Sequence, residues 1–152
     1  MAHVLPIRRS SRLMIVSPRG RLLLFRYSDE HSKPFWATVG GELVGDESYR
    51  DAARRELYEE TGFEVEIGRL LRKRDAVYAV ARSQSARWIE HYFLVTVESE
   101  RLPCRKNWTE EECSSIVDWK WWTLRELAEP TLDLKPNWLP ELLGELLSGN
   151  QA

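Results

Sequence analysis

The sequence predicts a mixed α+β fold for a chain of 152 residues. Short runs of apolar, β-branched and aromatic residues recur along the chain, as is typical of strands. Residues 47–61 instead have the composition of a helix, rich in Ala, Leu, Glu and Arg and free of Pro and Gly. The length suits one compact domain. We therefore expect a single domain over residues 1–152, with residues 1–10 as a flexible N-terminal tail.

The first half is predicted to hold three strands followed by this helix. Residues 12–16 and 22–27 form two strands joined by a turn that contains Pro18 and Gly20. Residues 35–39 form a third strand that ends at Gly40 and Gly41. The helix over residues 47–61 is expected to stop at Gly62, because glycine readily caps a helix C-terminus.

The second half is predicted to hold four strands and two helices. Residues 63–71, 76–82, 88–98 and 117–122 are the strands, with a hairpin around residues 83–85. Thr123 and Glu126 have the spacing of a capping box that opens a short helix. Residues 137–147 carry apolar side chains at helical spacing, and Pro140 is tolerated in the first turn of that helix.

The composition excludes several classes of protein. Apolar residues make up 43% of the chain and charged residues 30%, which is ordinary for a globular protein and excludes disorder. The apolar runs fall far short of the roughly 20 residues of a membrane-spanning helix, and no secretory signal is visible. Cys104 and Cys113 lack metal-ligand spacing. We expect a cytoplasmic protein with no membrane partner.

Charge is distributed in four blocks of alternating sign. Residues 1–45 carry a net +4, residues 46–66 carry −5, residues 67–106 carry +5 and residues 107–152 carry −6. A uniform surface would intermix the signs, so the blocks suggest that acidic segments hold cations while basic segments meet an anion. The alternative is solvated charge spread over the fold.

The predicted helix carries carboxylates where an amphipathic helix would continue its apolar face. With about 100° per residue, Glu56 and Glu60 point within about 20° of Tyr49, which lies on that face, and Glu59 points about 80° away. A hard divalent cation such as Mg²⁺ or Mn²⁺ would offset the repulsion among them. The alternative is a solvated glutamate face paired with arginines of the same helix.

Residues 41–63 resemble the Nudix box at every fixed position. The matching residues are Gly41, Glu47, Arg55-Glu56-Leu57, Glu59-Glu60, Gly62 and the apolar Phe63. Nine specified positions over 23 residues make a coincidental match far rarer than one to a short glycine motif. One departure is Val39, where many family members carry Pro. The resemblance implies a Nudix-type α/β/α sandwich with a mixed central sheet and the box on a loop-helix-loop.

The resemblance also implies a reaction and a cofactor. The family hydrolyses a diphosphate bond in a nucleoside diphosphate linked to another group, by attack of water on phosphorus, with Mg²⁺ or Mn²⁺. Substrates of this kind are NTPs, nucleotide sugars, ADP-ribose and dinucleotides. Arg55 would orient a ligand carboxylate, and Glu47 would support the site. The implied metal ligands are Glu56, Glu59, Glu60 and the backbone carbonyl of Gly41.

The general base and the substrate contacts are less specified. The base is either a glutamate of the helix or one of the loop acids Glu110–Glu112, among which we favour Glu112. Aromatic side chains could stack on a base, although tryptophans of small domains more often lie in the core; the candidates are Trp36, Phe35, Tyr27 and Trp88. Basic side chains could meet phosphates, with surface solvation as the alternative for most of them; these are Arg26, Arg72, Lys73, Arg74 and Arg87. We expect a small-molecule partner, since no basic tract suits nucleic acid. A homodimer is possible by family analogy.

Two other functions stay open. The domain could be a non-catalytic nucleotide-binding sensor, although such a protein need not keep all the box carboxylates. A Nudix-type fold could also catalyse another metal-assisted reaction such as isoprenoid isomerisation, for which Cys104 and Cys113 are not convincingly placed. RNA decapping is a variant of the main hypothesis that no aromatic, basic tract supports.

Overall fold

The computed structural model describes residues 4–80 and 83–149. These residues form seven strands and four helices. The elements are β1 (Ile7–Val16), β2 (Leu22–Asp29), β3 (Ser32–Glu42), α1 (Tyr49–Thr61), β4 (Leu70–Tyr78), β5 (Ala86–Thr96), α2 (Glu110–Ser115), β6 (Ile116–Trp122), α3 (Leu124–Leu127), β7 (Leu134–Lys135) and α4 (Leu139–Leu147). The predicted α+β class is confirmed.

The seven strands form one mixed, curled sheet. Its order is β4-β5-β1-β2-β3-β7, with β6 beside β2 and an additional pairing between β1 and β3. β1 runs parallel to β5 and β7 runs parallel to β3, whereas the remaining pairs are antiparallel. β4 and β5 form the predicted hairpin. β1 therefore connects the hairpin to the rest of the sheet.

Helices cover both faces of the sheet. On one face, Leu57 of α1 packs in a core with Leu13 and its neighbours. On the other face, Leu142 of α4 packs in a core with Met14 and Tyr92. Alternation along β1 sends Leu13 and Met14 to opposite faces, and full burial of such a side chain contributes about 1.5–3 kcal/mol. The α/β/α sandwich is confirmed.

Local signals set the ends of α1. Ser48 is the N-cap, and its side chain accepts a hydrogen bond of 3.0 Å from the backbone N–H of Asp51. The helix thus begins two residues later than predicted. Gly62 ends it in the left-handed conformation with φ of +77°, and its N–H donates to the carbonyl of Tyr58.

Two predicted elements differ from the structure. Residues 7–10, expected in a flexible tail, begin β1, because Ser10 is fully buried and the segment pairs with β5 along its length. Residues 63–69, expected in a strand, lie outside any strand. Phe63 and Ile67 are buried there, so the alternation reflects packing, and β5 contacts the segment through two backbone hydrogen bonds at Gly68 and Arg69.

Two short elements, α2 and β7, were not predicted. Of the strand expected over residues 76–82, residues 81 and 82 lie outside the described residues, and β4 ends at Tyr78. Throughout the described ranges, no helix is long and apolar enough to cross a membrane.

Candidate active site

Helix α1 presents two buried carboxylates to the sheet. Ala52 and Ala53 are fully buried, and their small side chains let the helix approach closely. One and two turns further on, Glu56 and Glu60 continue this packed face and are only 7% and 1% exposed. Both therefore lie where the helical period places them, against the sheet and away from bulk water.

The end of β3 lies directly against these carboxylates. The N–H of Gly40 donates to Oε1 of Glu60 at 2.9 Å. A Cβ at position 41 would overlap the Glu56 carboxylate, and one at position 40 would overlap the backbone carbonyl of Ser11. Only glycine allows the backbone to pass this close. The two glycines therefore bring main-chain groups beside both acids.

A third carboxylate comes from α2. Oxygens of Glu56, Glu60 and Glu112 all lie within 4.8 Å of one another; we call these three residues the carboxylate cluster. Thr109 and Glu112 form a capping box, in which each backbone N–H donates to the other's side chain, at 2.9 and 3.1 Å. The box fixes the first turn of α2 and with it the direction of Glu112.

Arg55 organises the outer side of the cluster. It forms a bidentate pair with Glu47 at 2.8 and 2.9 Å, and its Nη2 donates to the carbonyl of Glu42 at 3.0 Å. Its Nη1 contacts Glu56 at 2.9 Å and Glu59 at 3.0 Å. Glu59 is thus held on Arg55 and lies outside the cluster, in contrast to the predicted trio of helix glutamates.

Burial makes the cluster electrostatically costly. The pKa of Glu60 is raised well above its usual value, first by burial and then by the charges of Glu56 and Glu112. Burial also raises the pKa of Glu56, against the opposing effect of Arg55. By contrast, the hydrogen bonds from Arg55 lower the pKa of Glu47. The protein therefore disfavours the charged forms of the two buried acids, Glu56 and Glu60.

A cavity of about 1000 Å³ opens beside the carboxylate cluster. All three cluster residues line it, as do Gly40 and Gly41. A second part of the lining comes from β1, β4 and β5. We give the name cationic wall to six residues of this part, Arg8, Arg12, Arg74, Tyr78, Trp88 and Glu90.

The predicted substrate contacts are only partly placed at this cavity. Tyr27 lines it, but one face of its ring stacks on Phe35 with 5.8 Å between centroids, and its hydroxyl is buried without a hydrogen-bond partner among the described residues. Trp36 does not line the cavity. Alternation along β3 turns Trp36 to the opposite face, where its ring meets that of Trp122 at 5.0 Å. Arg26 is exposed on β2 and also lies outside the lining.

The sequence analysis missed the buried acid within the cationic wall. Glu90 is 1% exposed and accepts hydrogen bonds from Ser10, Arg12, Arg74 and Tyr78, at 2.7, 3.1, 3.0 and 2.9 Å. Burial alone would raise its pKa, but the arginines and hydroxyls lower it overall. One signal could have found it: an acid at an inward position of a strand, between two inward aromatic residues.

Comparison with known proteins assigns the family. Residues 6–142 match the family model described as the NUDIX domain. The chain belongs to the Nudix family. The resemblance seen in the box therefore extends over most of the chain, and this Nudix hydrolase carries its box on the loop, helix and C-cap described above.

Three solved structures show the same fold. The MutT protein from Methanosarcina mazei Go1 has a TM-score of 0.71 at 19% identity, covering 99% of this chain and 100% of that one. A MutT Nudix hydrolase from Burkholderia pseudomallei has 0.68 at 22%, covering 92% and 98%. The E. coli dihydroneopterin triphosphate pyrophosphohydrolase has 0.66 at 19%, covering 93% and 95%. At these identities the likeness concerns the fold.

The donor set of this Nudix protein fits a hard divalent cation. Carboxylate oxygens from two elements converge, and the backbone of Gly41 lies beside them. Such oxygen ligands suit Mg²⁺ or Mn²⁺ better than softer metals. Burial and mutual repulsion disfavour the charged forms of Glu56 and Glu60, and such an ion would favour them.

Proposed function

We propose that this Nudix hydrolase is a metal-dependent pyrophosphohydrolase acting on a nucleoside diphosphate linked to another group. NTPs, nucleotide sugars, ADP-ribose and dinucleotides are the candidate substrates. The observation that carries the proposal is the convergence of Glu56, Glu60 and Glu112 beside a large cavity. Small-molecule sites typically occupy about 300–1000 Å³, so this cavity has room for a diphosphate and the groups on either side of it.

The proposed cofactor is Mg²⁺ or Mn²⁺. Glu56 and Glu60 would hold it together with the backbone carbonyl of Gly41. When bound, such a cation neutralises charge on the reacting phosphate and lowers the pKa of a bound water. Glu59 is the remaining predicted ligand, and its carboxylate must leave Arg55 to join the others.

Arg55 and Glu47 support the site without touching the reacting atoms. The planar fork of Arg55 is anchored by Glu47 on one side and holds Oε1 of Glu56 on the other. This pair therefore fixes the orientation of Glu56, and loss of either member would misplace a metal ligand.

We assign the general base to Glu112 rather than to a glutamate of α1. Glu112 is the least buried of the three cluster residues and lines the cavity. Its Oε1 is engaged by the N–H of Thr109, which leaves Oε2 to accept the proton of the attacking water. Glu60, in contrast, is held by the N–H of Gly40 in the protein interior.

The setting of the reaction is also part of the proposal. A small-molecule partner fits the cavity, and Tyr27 is one of the predicted substrate contacts that line it. A reducing cytoplasm agrees with two cysteines that are both free and exposed. A homodimer rests on family analogy alone.

The first test is product release over a panel of canonical and oxidised NTPs, ADP-ribose, NADH, dinucleoside polyphosphates and nucleotide sugars. Each is assayed with Mg²⁺, with Mn²⁺ and with EDTA. Glu60→Gln keeps the shape of the side chain and removes its charge. We expect it to fold and to lower turnover by about 10²-fold or more, because it removes charge stabilisation at the reacting centre.

Glu64→Gln, at an exposed position just beyond α1, is the matched control and should retain wild-type turnover. Activity of Glu60→Gln at the wild-type level, with an unchanged metal requirement, would remove Glu60 from the site. Binding of a nucleotide without cleavage of any compound would favour the non-catalytic sensor instead.

A further inference from the structure

The cationic wall offers more hydrogen-bond donors than its own carboxylates use. Arg12 and Arg74 share the single carboxylate of Glu90. Arg8 is paired with Glu42 through Nε and Nη2, at 2.7 and 2.6 Å. Within residues 4–80 and 83–149, no hydrogen-bond partner is found for Nη1 of Arg8, Nη2 of Arg12, or Nε and Nη2 of Arg74. Guanidinium donors therefore remain available at the cavity.

Trp88 adds an unpaired donor to the same wall. Its side chain is 2% exposed, and its Nε1–H has no partner in the part of the chain that the structure describes. Tyr78 stacks on its ring at 5.4 Å and the guanidinium of Arg8 lies 4.5 Å from the ring centroid. A ring this buried presents no face on which a nucleobase could stack. A buried N–H without an acceptor costs about 1–3 kcal/mol, so the site is incomplete as it stands.

We infer that the cationic wall binds a phosphate ester of the substrate that is remote from the scissile diphosphate. Guanidinium and indole N–H groups only donate hydrogen bonds, and a phosphate offers several anionic acceptor oxygens in return. A neutral base would leave the charge of the two arginines that share Glu90 unmatched. The substrate class is thus a nucleoside diphosphate derivative with an additional 2′- or 3′-phosphate on its ribose.

The inference rests on the proposed function, because it places the scissile diphosphate at the carboxylate cluster and the additional phosphate at the wall. The two are tested separately. Binding is measured by isothermal titration calorimetry in EDTA, so that no divalent cation contributes. The probes are the 2′,5′- and 3′,5′-bisphosphates of the four common nucleosides, each compared with the corresponding 5′-monophosphate.

We expect the additional phosphate to tighten Kd about tenfold or more for at least one nucleoside, as is typical of charge-assisted hydrogen bonds. Trp88→Phe keeps an aromatic ring and removes the N–H, and Arg74→Gln removes one guanidinium. Each should lose most of this gain. Trp122→Phe is the matched control, since the Nε1–H of Trp122 is also buried without a partner among the described residues but lies outside this cavity.

The gain should survive in Trp122→Phe. If the additional phosphate tightens binding for none of the four nucleosides, or if the gain persists in both Trp88→Phe and Arg74→Gln, the inference is wrong. If the bisphosphates bind as expected but no diphosphate is ever cleaved, the wall stands and the proposed hydrolysis fails. If the diphosphate is cleaved equally well with and without the additional phosphate, and that phosphate does not tighten binding, the proposed hydrolysis stands and the inference about the wall is wrong.

Discussion

Gly41 determines how closely the backbone of β3 approaches the Glu56 carboxylate. A methyl group there must displace that carboxylate or the strand, because the space of a Cβ is already filled by carboxylate atoms. We expect Gly41→Ala to fold, since the displaced group is the end of a side chain, and to weaken Mn²⁺ binding about 10–100-fold by misplacing a ligand. Calorimetric titration with Mn²⁺ measures the loss.

Gly144→Ala is the control for that substitution. Gly144 lies within α4, and an added Cβ would make ordinary contact with Leu124 at 3.7 Å. Alanine should stabilise this helix by about 0.5–1 kcal/mol and leave Mn²⁺ binding unchanged. Equal Mn²⁺ affinity in Gly41→Ala and the wild type would mean that Glu56 moves without consequence for the metal.

The position of Glu59 shows what the helical period alone does not predict. The helical period correctly sends Glu56 and Glu60 into the protein, because both continue the face of Ala52 and Ala53. Glu59 lies at the edge of that face, and its placement depends on a competing partner. Arg55, one turn before it, captures the carboxylate at 3.0 Å. Periodicity gives a direction, but it does not say which of two nearby charges a side chain will contact.

At the scale of elements, the capping box of α2 couples helix formation to the site. Thr109→Ala removes the acceptor for the N–H of Glu112 and should cost about 1 kcal/mol of stability. We also expect kcat to fall, because the first turn of α2 orients Glu112 in the carboxylate cluster. Urea unfolding and steady-state kinetics of the same preparation give both quantities.

Helix α3 supplies the control, because it opens with the same capping box, formed by Thr123 and Glu126. Thr123→Ala should cost a similar amount of stability and leave kcat unchanged, since Glu126 lies outside the cavity that holds the cluster. If kcat falls equally in both variants, the effect of Thr109→Ala comes from a general loss of stability and not from the orientation of Glu112.

Length and capping signals together decide how well the sequence predicts an element. α1 spans 13 residues with a cap at each end, so its signals accumulate and its bounds are predicted within two residues. β7 has two residues and α2 has six, too few for a period to be visible, and α2 was not predicted although it carries the same capping box that indicated the four-residue α3. Residues 63–69 show the opposite case: their alternation is real, but the backbone hydrogen bonds to β5 that the structure describes there involve Gly68 and Arg69 at the end of the segment, so no ladder forms along it.

At the scale of the molecule, the four charge blocks meet in pairs. Glu56 and Glu60 come from the first acidic block and Glu112 from the second, and they converge in the carboxylate cluster. Arg12 comes from the first basic block and Arg74 from the second, and both contact Glu90. The pairing follows from the sheet, in which β1 lies beside β5 and the hairpin brings β4 to the same side. The order of the charge blocks along the sequence does not show which blocks meet in the fold.

Glu90 links this charge arrangement to the stability of the whole fold. Its folded-state pKa lies below its ordinary value of 4.5, because Arg12, Arg74 and two hydroxyls favour the charged form despite burial. The stabilisation is therefore complete above about pH 4.5 and is lost as the pH falls through the folded-state pKa. Glu90→Gln leaves two arginines around a neutral amide, so their charges lose their partner. We expect the free energy of unfolding to fall by about 3–5 kcal/mol at pH 7.

The gap in unfolding free energy between the wild type and Glu90→Gln should accordingly narrow below pH 4.5. Urea unfolding of both proteins at pH 7, 5, 4 and 3 measures this gap. Other acids titrate in both proteins, so their shared contribution cancels when one unfolding free energy is subtracted from the other. Glu64→Gln, at an exposed position that forms no ion pair among the described residues, should show a gap near zero throughout. A gap for Glu90→Gln that stays constant down to pH 3 would mean that the carboxylate stabilises the sheet by its shape and hydrogen bonds, and that its charge contributes nothing.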